Sequence, residues 1–337
     1  MANETLVFDT MLKHQVKLER FKLWLINSFH SELDKLRTVI RGEVLDYDLE
    51  RLTPAQFKRL RQRVMIAMEN HAKLTKKELL RILAEFIEIE HGSLVRTWET
   101  VSITLAEDED EAGAVLVGLM PTGAELSASL RDEPVPALGE SYSVLIDAFF
   151  IGAASRIYTT MGQAYLTKQS TRNLLETING QAGGTGKRTG TVETIKRQMT
   201  ALLDTVVQFI GVRANQAVQR ATRLPWLPTD NLGDDPENRP TPPPGSNSGQ
   251  GNRGSRTAPV GSRAYIWISV LDGRTTLYCR NQNGRIYIYG IGPIPPAHAH
   301  CRSTIMPYIF GQTTRLVTAS EIDVSRPLSL ADYGNTN

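Results

Sequence analysis

Cysteine is scarce, with two in 337 residues. So few thiols argue against the disulfide-dense scaffold of a small secreted domain. A reducing compartment is expected, with a Cys279–Cys301 bridge as the one pairing left open. Histidine is scarce as well, at six, yet two of them fall in PPAHAHCRSTIMPY (295–308) beside one of the cysteines. Long apolar runs are missing. The most apolar window, YSVLIDAFFIGAASRIY, carries Asp147 and Arg156 and falls short of the roughly 20 apolar residues that span a bilayer. It reads as a buried helix, and no membrane span is expected. The opening stretch MANETLVFDTMLKHQ has no basic region followed by an apolar one, so no signal peptide is expected. A net charge of +2 neither demands nor excludes nucleic acid, and any basic surface would have to be local.

Several chemical signatures are also absent. The Gly-rich stretch NGQAGGTGKRTG (179–190) has Gln181 and Arg188 where a phosphate-binding P-loop needs Gly and Ser or Thr, so it reads as a basic linker. The acids Glu107 to Glu111 lack the Asp/Gly spacing of a calcium loop and read as a solvated segment. His-Glu-x-x-His does not occur. His30-Ser31-Glu32 exists, but without the Pro-Cys-x-x-Cys of a zinc deaminase.

What is present is mostly helix. Val16, Phe21, Leu25, Phe29, Leu33, Leu36 and Ile40 recur at helical spacing. Thr53-Pro54-Ala55-Gln56 is a capping box, and Thr75 with Glu78 repeats it, which predicts two helices or a break near His71. Helix resumes at Tyr142. A further stripe through Ile195, Met199, Leu202, Val206, Phe209 and Ile210 predicts a helix of roughly 30 residues and about 45 Å, a rod-like scaffold element. Lys196, Arg197, Arg213, Arg220 and Arg223 occupy its polar positions. They read first as a solvated face and second as a non-specific DNA contact.

The expected class is therefore mainly α, with a small C-terminal α+β module. Residues 1–225 form an elongated helical interaction domain. Residues 226–262, rich in Pro, Gly and Asn, form a linker or arm with no periodic apolar face. Residues 263–310 form a compact module, and 311–337 a tail that looks like an appendage. In the module AYIWISV reads as a strand, and LYCR, NQNG and RIYIYG read as a hairpin turning at Asn283-Gly284. The PIPP stretch then brings the chain back towards it.

That return would carry His298 and Cys301 towards Cys279. Structural zinc takes four nitrogen or sulfur ligands with short spacing within a pair, and His298-x-x-Cys301 fits such a pair. The fourth ligand is open between His300, which adjoins Cys301, and Asp272. The competing reading is a small core with a buried thiol and hydrogen-bonded histidines. A nucleophilic Cys/His pair would also need an oxyanion-binding loop, and none is evident.

The same residues carry a resemblance. Trp267, Asp272, Arg274, Thr275, Cys279, Gly284, Pro295, Pro296, His298, Cys301 and Arg302 follow a pattern that resembles the phage head morphogenesis family, the Mu F-like minor head proteins. That pattern is an aromatic strand, Asp-x-Arg-Thr, a Cys or His, a Gly turn, and Pro-Pro-x-His-x-x-Cys-Arg. It covers about 262–308. The chain departs from it at Thr276 and Ser303, where Cys is common, and at His300, where Asn is common. The resemblance implies a non-enzymatic virion protein that associates with portal or major capsid protein during assembly in host cytoplasm. Contact with packaged DNA or a part in its ejection would follow. The alternative is a zinc- or thiol-dependent enzyme acting on nucleic acid or on a capsid protein. On the first reading Trp267 packs the module's core and Asp272 with Arg274 locks a turn.

Overall fold

The computed structural model describes residues 6–105, 120–182, 188–222, 263–308, 317–318 and 326–335. Among these the chain is mainly helical, with eight helices and a small three-stranded antiparallel sheet near the C-terminus. The acidic run 107–111, the arm 226–262 and most of the tail from 311 lie outside the described residues.

Two long helices set the frame. Helix α1 (Leu6–Leu45) has 40 residues and spans about 60 Å, and α2 (Pro54–Leu105) has 52 and spans about 78 Å. The stripe Phe21, Leu25, Phe29, Leu33, Leu36, Ile40 is buried, as its spacing predicts. Helix α2 starts at the first capping box: Thr53 N donates to Gln56 Oε1 (2.9 Å), and Gln56 N donates to Thr53 Oγ1 (3.3 Å). The second box starts nothing, and α2 runs unbroken through His71. Thr75 is buried within it, and Glu78 accepts from Arg81 (2.7 and 2.9 Å). Extending a formed helix is cheap and nucleating a new one is not. With no Pro or Gly between His71 and Thr75 the helix simply continues.

Helix α3 (Gly123–Asp132) starts at a Thr122/Glu125 box, and α4 (Tyr142–Leu166) and α5 (Thr171–Asn179) follow. The ends of the Gly-rich stretch differ from a plain linker. Strand β1 (Gln181–Ala182) pairs antiparallel with β2 (Arg188–Thr189). Gly190 is required beside them, because a Cβ there would lie 2.3 Å from Gly180 N.

Helix α6 (Thr191–Ala221) has 31 residues but is not a free rod. It packs against both α1 and α2 and is buried nearly all round beyond Leu203, including Gln208, Asn215 and Gln219. Of its bases, Lys196 pairs with Asp34 (2.8 Å) and Arg213 with Glu133; Arg197 and Arg220 are exposed. Helix α4 differs from the buried helix expected of its composition. Ile146, Ala153, Ile157, Met161 and Ala164 face inward, but only 22% of its most apolar window is buried. By length and composition alone this helix could cross a membrane.

The sheet has the order β5-β3-β6, with β3 (Ala264–Ile268) central between β5 (Ile286–Ile288) and β6 (Thr304–Pro307), all antiparallel. Its alternation splits two faces. Ile266, Ile268 and Met306 join the helical core, whereas Tyr265, Trp267, Tyr287 and Ile305 form a second cluster with Val212, Cys279 and Cys301. LYCRNQ is not a strand of a hairpin. It forms α7 (Leu277–Gln282), because Thr276 caps it by accepting from Cys279 N (3.3 Å). Gly284, at φ +80°, makes the turn into β5.

Strand β4 (Val270–Leu271) pairs in parallel with β7 (Val317–Thr318). Helix α8 (Leu330–Asn335) is no loose appendage. Tyr333 is fully buried, stands edge-on to Phe21 and Phe86, and donates to Glu90 Oε2 (2.7 Å). Glu90 Oε1 in turn lies 2.5 Å from His14 Nε2. Tyr333's covering takes its phenol well above the usual range, with the Glu90 carboxylate adding to the effect.

Candidate metal centre

The centre lies on the sheet face turned away from the main helical core. Helix α7 presents Cys279 from its first turn, and the stretch from Pro295 to Arg302 presents His298 and Cys301. Pro295 and Pro296, one residue removed from His298, are buried. Cys279 and Cys301 are buried and unbridged, with 3.7 Å between their sulfurs. His298 Nε2 is 3.0 Å from Cys279 Sγ and 2.9 Å from Thr276 Oγ1. The three donor atoms all lie within 4.8 Å of one another, a group that could hold a metal ion.

Hydrogen bonds settle the roles of these atoms. His298 Nδ1 sits 2.8 Å from the Ala299 carbonyl oxygen. A carbonyl only accepts, so Nδ1 carries the proton and Nε2 turns its lone pair to the sulfurs, the tautomer a metal ligand needs. The Cys301 thiol, donating to Cys279, lowers the Cys279 pKa to about 6. Burial opposes that shift, and Ser303 and Thr276 add to it. Cys301 goes the other way, well above the ordinary thiol range, because its proton is held against the Cys279 sulfur in a buried place. The 3.0 Å contact between Cys279 Sγ and His298 Nε2 needs a proton of its own, so metal binding would release that proton as well as the Cys301 one.

A second layer fixes these ligands. Ser269 Oγ donates to Cys279 O (2.8 Å), accepts from Trp267 Nε1 (2.9 Å) and lies 3.0 Å from Ser303 Oγ. Ser269 N donates to Asn283 Oδ1 (2.8 Å). Trp267 is fully buried, as its strand position predicts. Asp272 does lock a turn, but its main partner is Arg302. Arg302 Nη2 donates to Oδ2, and both side chains are mostly covered, 13% and 14% exposed. Arg274 contributes through its backbone N–H to Oδ1 (2.8 Å), while its guanidinium is 77% exposed and 3.5 Å away. Thr275 Oγ1 accepts from Asp272 N (2.9 Å) and donates to Val270 O (2.5 Å). Burial works against the Asp272 charge; Arg302, the Arg274 N–H and Thr275 outweigh it and hold the carboxyl at about 2.

Neither candidate fourth ligand joins the group. Asp272 is committed to Arg302. His300, in the left-handed region at φ 59°, turns from Cys301 to Asp204 (Nδ1–Oδ2 2.8 Å). There it meets a buried ionic cluster, in which Lys22 lies 2.6 Å from Glu19, 3.2 Å from Asp204 and 2.6 Å from Gln208 Oε1. Burial pushes Lys22 down and Asp204 up; Glu19, and after it Asp204, reverse this for Lys22 and leave it raised, while Lys22, and after it His300, hold Asp204 at about 2.

From there the module is tied to α6. Gln208 Nε2 donates to Ser303 O (2.8 Å), His300 N to Thr205 Oγ1 (3.2 Å), and Tyr289 Oη to Gln219 Oε1 (2.5 Å). Sequence reasoning missed Ser269 and Asp204, and noted Thr276 and Ser303 only as positions where the resembled family commonly has Cys. No family model, no curated protein and no solved structure matches this chain.

Proposed function

We propose that this chain is a non-enzymatic assembly protein of a tailed-phage head, a minor head protein that binds portal or major capsid protein. We further propose that zinc on Cys279, His298 and Cys301 closes its C-terminal module. One observation carries the reading. The scattered residues behind the family resemblance fold into two hydrogen-bonded groups that adjoin along the chain at Thr275–Thr276 and Cys301–Arg302: Trp267, through Ser269, with Cys279, His298 and Cys301, and Asp272 with Thr275 and Arg302. Motif letters that all serve the packing of one small module support the resemblance better than letters scattered over the fold would.

The donor set suits zinc, two soft thiols and an imidazole. A tetrahedral ion with zinc–sulfur bonds of about 2.3 Å sets its sulfurs about 3.8 Å apart, and here they are 3.7 Å apart. The imidazole would withdraw by about 0.5 Å, since zinc–nitrogen bonds near 2.0–2.1 Å call for a larger S–N spacing than the 3.0 Å present. The protein would gain folding stability from the bound ion. The large helical surface and the arm 226–262 would supply the partner contacts. DNA contact is the lesser part of the reading, with Arg197 and Arg220 as its exposed bases.

Co-expression with portal and capsid proteins followed by pull-down tests the reading, and association with neither would sink it. A second reading, a zinc-dependent enzyme, has one observation in its favour. The group holds three protein donors, and its Thr276 side is exposed, as in zinc sites that keep one position for water. Metal analysis with X-ray absorption separates the two: a fourth protein ligand favours structure, and a bound water favours catalysis.

A further inference from the structure

Between the first third of α1 and the last quarter of α2 runs a groove of about 870 Å³. The two helices lie side by side there, with Lys17 Nζ 2.9 Å from Ser93 Oγ. From Leu6 to Arg20 the groove is about 21 Å long, the length of a helix of about 14 residues. Its floor is apolar: Leu94 and Val101 are buried, and Leu12 and Val16 half-buried. Its charge is of one sign. Lys13, Lys17, Arg20 and Arg96 line it, and no carboxylate does. Glu90 is fully buried nearby and already held by His14 and Tyr333.

Cations gathered without acids repel one another, and Lys17 registers it. Burial pushes its ammonium below the usual lysine range; Glu90 opposes that, and the Arg96 guanidinium adds to it. Among the described residues no acid pairs with Lys13, Arg20 or Arg96. Farther along the same two helices exposed bases do find acids, as Lys35 finds Glu32 and Arg81 finds Glu78 and Glu85. Positive charge over an apolar floor selects a partner by both features. Nucleic acid would answer only the first. No aromatic side chain lines the groove for a base to stack on, and the gap between two packed helices admits the side chains of a third helix, not a duplex. We infer that this groove is a docking site for an acidic amphipathic helix of a partner protein. Its apolar face lies on Leu12, Val16, Leu94 and Val101, and its carboxylates pair with Lys13, Arg20 and Arg96. Binding then relieves the repulsion as it buries the floor. The inference names a class of partner surface and stands apart from the phage-head reading and from the metal centre, because its test uses neither portal protein nor zinc.

The test is fluorescence anisotropy on the full chain. The probe is a labelled peptide of about 14 residues, with leucine along one helical face and glutamate beside it. Micromolar binding is expected, weakened by added salt. Lys13→Glu with Arg96→Glu, at two exposed positions, should weaken it about tenfold or more and leave the helical circular dichroism intact. A peptide with lysine in place of glutamate should not bind. No binding of the acidic peptide overturns the proposal. So does binding that survives replacement of the leucines by serine, which would make the groove a general attractor of anions. Duplex DNA that binds more tightly than the peptide, and is lost in the same double variant, would overturn it by assigning the groove to nucleic acid. Tighter peptide binding by a chain whose acids Glu107 to Glu111 are replaced by their amides would overturn it too, by making this chain's own acidic run the occupant.

Discussion

Asp272→Asn is the sharpest probe of the motif network, because it keeps the shape of the turn and removes only the charge. In the folded chain the carboxylate accepts from Arg302 and the Arg274 N–H, with Thr275 Oγ1 3.2 Å from it, and its pKa is about 2 against an ordinary 3.8. Every tenfold fall in a group's proton affinity on folding is worth about 1.4 kcal/mol. The contact lies at the edge of the fold and is partly screened, which discounts the sum to about 1–2 kcal/mol. A depressed carboxyl contributes stability that is present in full above its unfolded pKa and lost as pH falls through its folded one. The gap between wild type and Asp272→Asn should thus be full at pH 7 and pH 5, and narrow from about pH 4. Near pH 2 it should be almost closed. Urea unfolding followed by tryptophan fluorescence measures it, with Trp267 buried in the module itself. Arg274→Ala is the internal control. Its exposed guanidinium should cost under about 0.5 kcal/mol. A gap that stays constant from pH 7 to pH 3 would refute the argument, since the variant would then be acting through shape and not charge. An Arg274→Ala cost equal to that of Asp272→Asn would refute the assignment of Arg302 as the main partner.

Three further outcomes follow from the same geometry. Asp204→Ala should destabilise the chain by about 3 kcal/mol, because it strips a buried ammonium, Lys22, of one of its two acids and leaves His300 without its carboxylate; thermal unfolding checks it, and a shift within error would mean that Glu19 alone satisfies Lys22. Cys301→Ala should lower the bound zinc measured by elemental analysis and destabilise the module by about 2 kcal/mol; a variant that melts like wild type and builds normal heads removes the closing role. Gly292→Ala should cost about 1–3 kcal/mol by overpacking, since its Cβ would stand 2.5 Å from Tyr287 Cβ and 2.7 Å from Tyr265 Oη; a neutral result in urea would show that this loop can shift.

The sequence was most legible where local chemistry and fold agree. The Thr53 box begins α2, the stripe from Phe21 to Ile40 is buried, and Ala264–Ile268 is the central strand. It misled where one local signal met a stronger tertiary one. Thr75 and Glu78 have the letters of a box, but a helix already running through them needs no cap. Leu277-Tyr278-Cys279 has strand letters, but Thr276 caps them into a turn of helix. Gln208, Asn215 and Gln219 drew no reading from the sequence, and they hold the sheet to α6. Nothing in a single sequence separates a glutamine that faces water from one that faces a carbonyl of another element.

The metal centre divides along the same line. That Cys279, His298 and Cys301 could meet was readable from spacing. The fourth ligand was left open between His300 and Asp272, although neighbouring residues such as His300 and Cys301 rarely face one ion. Where His300 goes was not readable. It reaches Asp204, and through Asp204 the buried Lys22 of α1, so the centre and the helical core share one charged junction. This junction makes a specific claim about coupling. If the ion holds Cys301, it also holds the next residue, His300, against Asp204. Zinc removal should then weaken the Lys22 cluster, and Asp204→Ala should weaken zinc binding by the same free energy, as linkage demands. Zinc titrations of wild type and Asp204→Ala, with unfolding measured with and without the ion, give both arms of that cycle. Zinc affinities that match between the two chains would show the junction to be a shared location without shared energy.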